Sequence, residues 1–171
     1  MPRSRGQEPR NLRPDTHRRD SIVPEKGLDT YQRLAKLPEP AVCPECEAVF
    51  HKGRWTWMDE PPPNAAIVLC PACERCRDSY PAGFLTLSGK FLQERYDSVM
   101  STIENEAAQE TGEHPMHRII DRQREGEDVI ITTTDIHLPR RLGEAVRRAF
   151  GGELEYRYVD DDQILRASWR R

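Results

Sequence analysis

CPECEAVFHKGRWTWMDEPPPNAAIVLCPACERC, residues 43–76, carries all five cysteines of the chain. Their spacing decides how this part folds. Cys43 and Cys46 form one C-x2-C pair, Cys70 and Cys73 a second, and 23 residues separate the two. A two-residue spacer lets both sulfurs of a tight turn face one ion, and zinc accepts four thiolates tetrahedrally. Pro44 and Pro71, each following the first cysteine of its pair, suit such turns. The intervening AVF, RWTW and AAIVL read as short strands around the PPPN loop, enough for the hairpin of a zinc ribbon. With four protein ligands no position stays open for water, so such a metal is structural. Cys73 and Cys76 also make a C-x2-C. The CPxC form shared by the pairs favours Cys43, Cys46, Cys70 and Cys73 as ligands, with Cys76 a spare thiol. A redox pair and an iron–sulfur cluster are the weaker alternatives. His51 is not needed once four thiolates are present.

The rest of the chain is read outward from this centre. It has 171 residues, with 26 basic and 29 acidic side chains and a formal charge of −3. Hydrophobic residues make up 36% and charged residues 32%, which argues against one large core. No apolar run reaches membrane-spanning length, and the N-terminus lacks the apolar stretch of a secretory signal. Clustered thiols fit a reducing compartment better than a disulfide framework. A cytoplasmic protein with no membrane partner is expected.

Residues 1–41 contain six prolines, nine basic and six acidic residues. So few large apolar side chains cannot offset the entropy of ordering, and a disordered basic tail is expected. Residues 42–87 are assigned to the ribbon and 88–171 to a small α+β domain. In the latter, Leu92, Tyr96, Val99, Ile103 and Ala107 recur at helical spacing between Ser88 and Gly112. HRIIDRQ and DVIITTT follow as strands joined by REGE. A second helix spans about 136–150, capped by Thr134 or Asp135, with Pro139 in its first turn and Gly151 as its stop. ELEYRYV and QILRASW close the chain as strands joined by DDD. The order is αββαββ with an antiparallel sheet.

Other motifs are weaker. YPAGFLTLSGKFL, with Gly83, Gly89 and Lys90, fails as a phosphate loop because Phe84 and Phe91 stand where Gly and Ser or Thr are required. No nucleotide cofactor is assigned. His114 and His117 form an H-x2-H without an evident carboxylate partner and read as surface or packing residues. His137 lies at a helix start, where Asp135 favours capping over anion binding. No catalytic triad or carboxylate pair stands out, which favours a non-enzymatic role.

Arg140, Arg141, Arg147 and Arg148 gather on one side of the second helix, opposite Leu138, Leu142, Ala145, Val146 and Ala149. In the last strand, Arg166 and Arg170 alternate with Leu165, Ala167 and Trp169, so both point away from the core. These six arginines are the candidate contacts for an anionic partner of defined shape, such as folded RNA. Trp55 and Trp57 would share one strand face, either capping the ribbon core or offering a stacking surface.

PEPAVCPECEAVFHKGRWTW (38–57), LCPACERCRDSYPAGFLTLSGKF (69–91), TTTDIHLPRRLGEAVRRAFGGELEY (132–156) and ILRASWRR (164–171) resemble a family of small uncharacterised bacterial proteins. That family is similar to the N-terminal zinc-binding part of the eukaryotic adapter that exports large ribosomal subunits from the nucleus. The resemblance implies Cys43, Cys46, Cys70 and Cys73 as zinc ligands and an association with the large ribosomal subunit or structured RNA. The export role does not carry over to bacteria. A protein–protein adapter working through the ribbon hairpin and Trp55/Trp57 is the alternative expectation.

Overall fold

The computed structural model describes residue 31, residues 37–159 and residues 163–171. The expected tail and the DDD turn fall mostly outside these. Within the expected tail, Tyr31 and residues 37–41 are described: the Tyr31 hydroxyl donates to Asp78 Oδ2 at 2.7 Å, and Ala41 is fully buried in a strand, so the ordered part begins before the expected boundary at residue 42.

Two sheets organise the chain, as expected of an α+β protein. The first joins β1 (Ala41–Val42), β2 (Val49–His51), β3 (Arg54–Thr56) and β4 (Ala66–Ile67) in the order β3-β2-β1-β4. Its hairpin turns at Lys52 and Gly53, both at positive φ (52° and 75°), between the paired His51 and Arg54. Two left-handed residues give the twist that a two-residue hairpin needs. A helix, α1 (Pro71–Asp78), follows. At eight residues it is too short to declare itself by periodicity. It starts because Pro71 pre-sets the first turn and the Cys70 side chain accepts from Cys73 N–H. It ends where Ser79 enters the left-handed region (φ 51°).

The second sheet is built from β5 (Gly83–Ser88), β6 (Ile119–Glu125), β7 (Asp128–Thr133), β8 (Glu153–Val159) and β9 (Ile164–Arg170). The order is β6-β7-β5-β9-β8, and only the β5–β9 pair is parallel. Residues 83–87, expected in the ribbon, therefore form the central strand of the second sheet. The C-terminal unit begins with a strand, one element more than αββαββ. Gly83 is required by close approach, because a Cβ there would stand 2.4 Å from Asp135 O, Pro139 Cγ and Thr133 Oγ1.

Helices α2 (Lys90–Glu94), α3 (Tyr96–Glu113) and α4 (His137–Phe150) complete the unit. The single helix expected from Ser88 is broken at Arg95 (φ −130°, ψ 30°), and its first turn is preceded by Gly89, not Ser88. Leu92 before the break, and Val99 and Ile103 after it, all reach the core. Gly112 does not stop α3, which runs to Glu113. α4 matches its expected span. Asp135 Oδ2 accepts from His137 N and Leu138 N at 2.6 and 3.2 Å, and Gly151 (φ 74°) ends the helix.

The core lies between this sheet and the helices. Leu85, Leu87, Val129, Ile131, Ala167 and Trp169 from the strands meet Val99, Ile103, Leu138, Leu142 and Val146. Trp169 is fully buried and its indole N–H donates to Gly151 O at 2.8 Å, so its polar edge is satisfied. Arg166, Ser168 and Arg170 alternate with it on the exposed face. Among the described residues no helix is long and apolar enough to cross a membrane.

Candidate metal centre

The first C-x2-C pair sits in the turn between β1 and β2. Cys43 N donates to Ala48 O (2.9 Å) and Glu47 N to Cys43 O (3.0 Å), with Glu47 left-handed at φ 65°. The second pair spans the start of α1. Cys70 is its cap and Cys73 lies in its first turn, so backbone N–H groups point at sulfur. Cys70 N lies 3.4 Å from Cys43 Sγ, and Cys73 N lies 3.4 Å from Cys70 Sγ.

The sulfurs of Cys43, Cys46, Cys70 and Cys73 all lie within 4.8 Å of one another. Cys46 and Cys70 are 3.7 Å apart. With metal–sulfur bonds of about 2.3 Å, the edge of a zinc–thiolate tetrahedron is about 3.8 Å, so the group fits a single ion. Cys43 and Cys70 are fully buried and Cys73 nearly so. Trp55, Leu69 and Met116 pack around them. Burial opposes ionisation of Cys43, but N–H donors from Cys70, Cys46 and Glu45 outweigh it and bring the thiol down to about 7. Burial pushes Cys70 well up and Cys73 to about 12. Three buried sulfurs and the half-buried Cys46 have little to gain from each other without a cation between them, and affinity for a metal here would count as folding free energy.

Cys76, one turn beyond Cys73 in α1, is outside the four-sulfur group. Burial raises its pKa as well.

Arg118, which leads into β6, joins the site without any motif to mark it, because its contact is made across 45 positions of chain. Its Nη1 lies 3.3 Å from Cys73 Sγ, and its Nε donates to Pro115 O at 2.8 Å. Burial opposes its charge, but the sulfurs of Cys46 and Cys73 outweigh this and raise its pKa.

Both tryptophans make contacts within the protein, although Trp57 stays 38% exposed. Trp55 packs on the cysteine cluster and lies 5.5 Å from Phe50. Trp57 donates to Thr111 O at 2.7 Å, and the Arg118 guanidinium stands 5.9 Å from its ring. It thus ties the first sheet to α3.

The six candidate arginines divide into two groups. On α4, Arg141 lies 3.5 Å from Glu110, Arg147 2.6 Å from Glu144 and Arg148 3.5 Å from Glu106. Arg140 stands 5.6 Å from the Tyr156 ring centroid. That face is basic but interlaced with carboxylates. On the second sheet, Arg166 lies 4.2 Å above the Phe84 ring and pairs in register with Arg157, and Arg170 is exposed. The structure does not bring the two groups into one patch: α4 packs against the inner face of the sheet, whereas Arg166 and Arg170 leave the outer one. No family model matches the chain, and comparison with curated proteins and with solved structures likewise finds no match.

Proposed function

We propose that the chain is a non-enzymatic zinc protein that binds structured RNA, in the first place on the large ribosomal subunit. Zinc at Cys43, Cys46, Cys70 and Cys73 is the structural element of this reading. Four thiolates in a buried, tetrahedrally sized group leave the ion no free position for chemistry. The observation that carries the binding half is on the outer face of the second sheet. There the Arg166 guanidinium lies 4.2 Å from the ring centroid of half-buried Phe84, with Arg157 in register beside it. An aromatic ring with flanking guanidinium groups on a sheet is suited to stacking bases and contacting phosphates. The arginines of α4 extend the basic character, and the resemblance to ribosome-associated proteins supports the choice of RNA. The adapter reading draws less support, because Trp55 packs on the cysteine cluster and the indole N–H of exposed Trp57 is bonded to Thr111 O.

Sucrose-gradient sedimentation of lysate, followed by polarisation assays with ribosomal RNA fragments, tests the proposal. Comigration with large subunits that disappears at high salt, and is weakened by Arg166→Glu, is the expected result. Free sedimentation with no RNA affinity refutes it.

A further inference from the structure

The residues around His114-Pro-Met-His117 do not form the plain surface turn expected of an isolated H-x2-H. The structure supplies the carboxylates that the local sequence lacks. Glu110, in the last turn of α3, is only 7% exposed, and its Oε2 lies 3.3 Å from His117 Nδ1. His114 caps the end of the helix, and its ring centroid is 4.7 Å from that of His117. One oxygen of Glu110 and one nitrogen from each histidine lie within 4.8 Å of one another.

The chain path explains the gathering. Glu110 and His114 are four residues apart, the spacing that puts two side chains on one helix face. The segment then turns back, with His117 N donating to His114 O (3.0 Å) and Thr111 Oγ1 to His117 O (2.7 Å). The return of His117 is therefore fixed by backbone bonds and not left to a loose loop.

Two imidazoles and a carboxylate are the donor set of a borderline divalent ion. Bonds of about 2.0–2.1 Å to nitrogen and oxygen separate tetrahedral ligands by about 3.3 Å. The Glu110–His117 separation has that value. The surroundings are those of a ligated histidine. If Nδ1 of His117 binds metal, its proton must sit on Nε2, and Nε2 lies 3.5 Å from Asp135 Oδ2. Metal-binding histidines regularly offer their second N–H to such a carboxylate. Asp135 is itself held by the first amides of α4, and its Oδ1 is buried without a hydrogen-bond partner. The other Glu110 oxygen, Oε1, faces Arg141 at 3.5 Å, which leaves Oε2 for an ion.

We propose that Glu110, His114 and His117 form a second divalent-metal site, separate from the cysteine centre, with Asp135 as a positioning residue. Zinc, cobalt and manganese are the ions this donor set takes. Three protein ligands leave one position for water or another oxygen donor. The site thus keeps an open coordination position, unlike the closed four-cysteine group.

The test uses the full chain with its cysteine centre already filled by zinc, titrated with cobalt(II) alone. One further equivalent is expected to bind, with the visible bands of nitrogen- and oxygen-ligated cobalt and no intense sulfur-to-cobalt charge transfer. His117→Ala is expected to remove it. His114→Ala, at an exposed position, should lower the affinity at least about tenfold with an unchanged melting temperature. Asp135→Asn keeps a capping oxygen and should cost roughly 10–100-fold, the range for a ligand-orienting partner. Failure of any further cobalt to bind overturns the proposal. So does cobalt binding equally well to His114→Ala, or entering only with the charge-transfer band of displaced zinc.

Discussion

Arg118 donates from Nη1 to Cys73 Sγ across 3.3 Å, joining the residue that leads into β6 to the first turn of α1. The contact makes the cysteine centre part of the interface between the two sheets. A guanidinium beside a thiolate cluster offsets its net negative charge, and a hydrogen bond to a charged group contributes about 1.5–3 kcal/mol. On the zinc reading, Arg118→Ala is therefore expected to weaken metal retention about tenfold or more in a competition with a chromophoric chelator. Arg118→Lys should restore only part, because a lysine cannot reach Cys73 and Pro115 O with one planar fork.

Removing the metal should act locally. The first sheet is made of strands of two or three residues, and its buried cluster is chiefly the cysteines themselves. A unit so small depends on its staple. Chelation, or Cys43→Ser, is expected to abolish hydrogen-exchange protection from residue 41 to residue 78. The amides of β5, β7 and β9 should stay protected. Cys76→Ser, outside the four-sulfur group, should keep one equivalent of zinc. If Cys76→Ser loses the ion and Cys73→Ser keeps it, the ligand assignment is wrong.

Gly83 gives a test in the second unit. A methyl group there meets Asp135 O, Pro139 Cγ and Thr133 Oγ1 at 2.4 Å, and these partners belong to β7 and the N-terminal end of α4. Overpacking of this kind costs about 1–3 kcal/mol. Gly83→Ala should lower the denaturation midpoint accordingly, whereas Gly112→Ala, where a Cβ meets nothing within 4 Å, should not.

That position also shows where sequence reading works and where it stops. α4 is legible because Pro139, Gly151 and a strong apolar stripe all agree. The hairpin of β6 and β7 is legible because REGE separates two strand-like runs, the second rich in β-branched residues. β5 is not, since Gly83 and Gly89 bracket it and give it the look of a failed phosphate loop. Its inward Leu85 and Leu87, alternating with Phe84 and Thr86, are the available signal. The four cysteines announce themselves by spacing alone. Arg118, Glu110 and Asp135 cannot, because their partners are brought to them only by the turn after α3 and the approach of α4.

A half-buried hydroxyl supplies a pH test. Burial raises the pKa of Tyr156, and the hydrogen bond it donates to Glu144 Oε1 at 2.8 Å adds to this, bringing it to about 12. The folded state favours the neutral phenol. Its contribution is thus complete below pH 10 and is lost as pH rises through about 12. In a tyrosinate absorbance titration, the step removed by Tyr156→Phe should be the latest-titrating one. Glu144→Gln should move that step to lower pH. An unchanged late step in Tyr156→Phe would assign it elsewhere.

On the RNA reading, the two arginine groups should not contribute equally. Arg147 and Arg148 already hold Glu144 and Glu106, so contacting a phosphate requires them to leave a carboxylate. Arg157 and Arg166 face each other in register, a like-charge pair that an intervening phosphate relieves. Arg157→Glu with Arg166→Glu is therefore expected to weaken RNA binding more than Arg140→Glu with Arg147→Glu. It should also lower the salt slope by nearly one for each phosphate that is no longer neutralised. Phe84→Ala should weaken binding by about 1–3 kcal/mol if a base stacks on the ring, with the salt slope unchanged. Equal weakening by both double variants would place the RNA along α4 as much as on the sheet. Loss of binding only on zinc removal would move it to the cysteine-bearing unit.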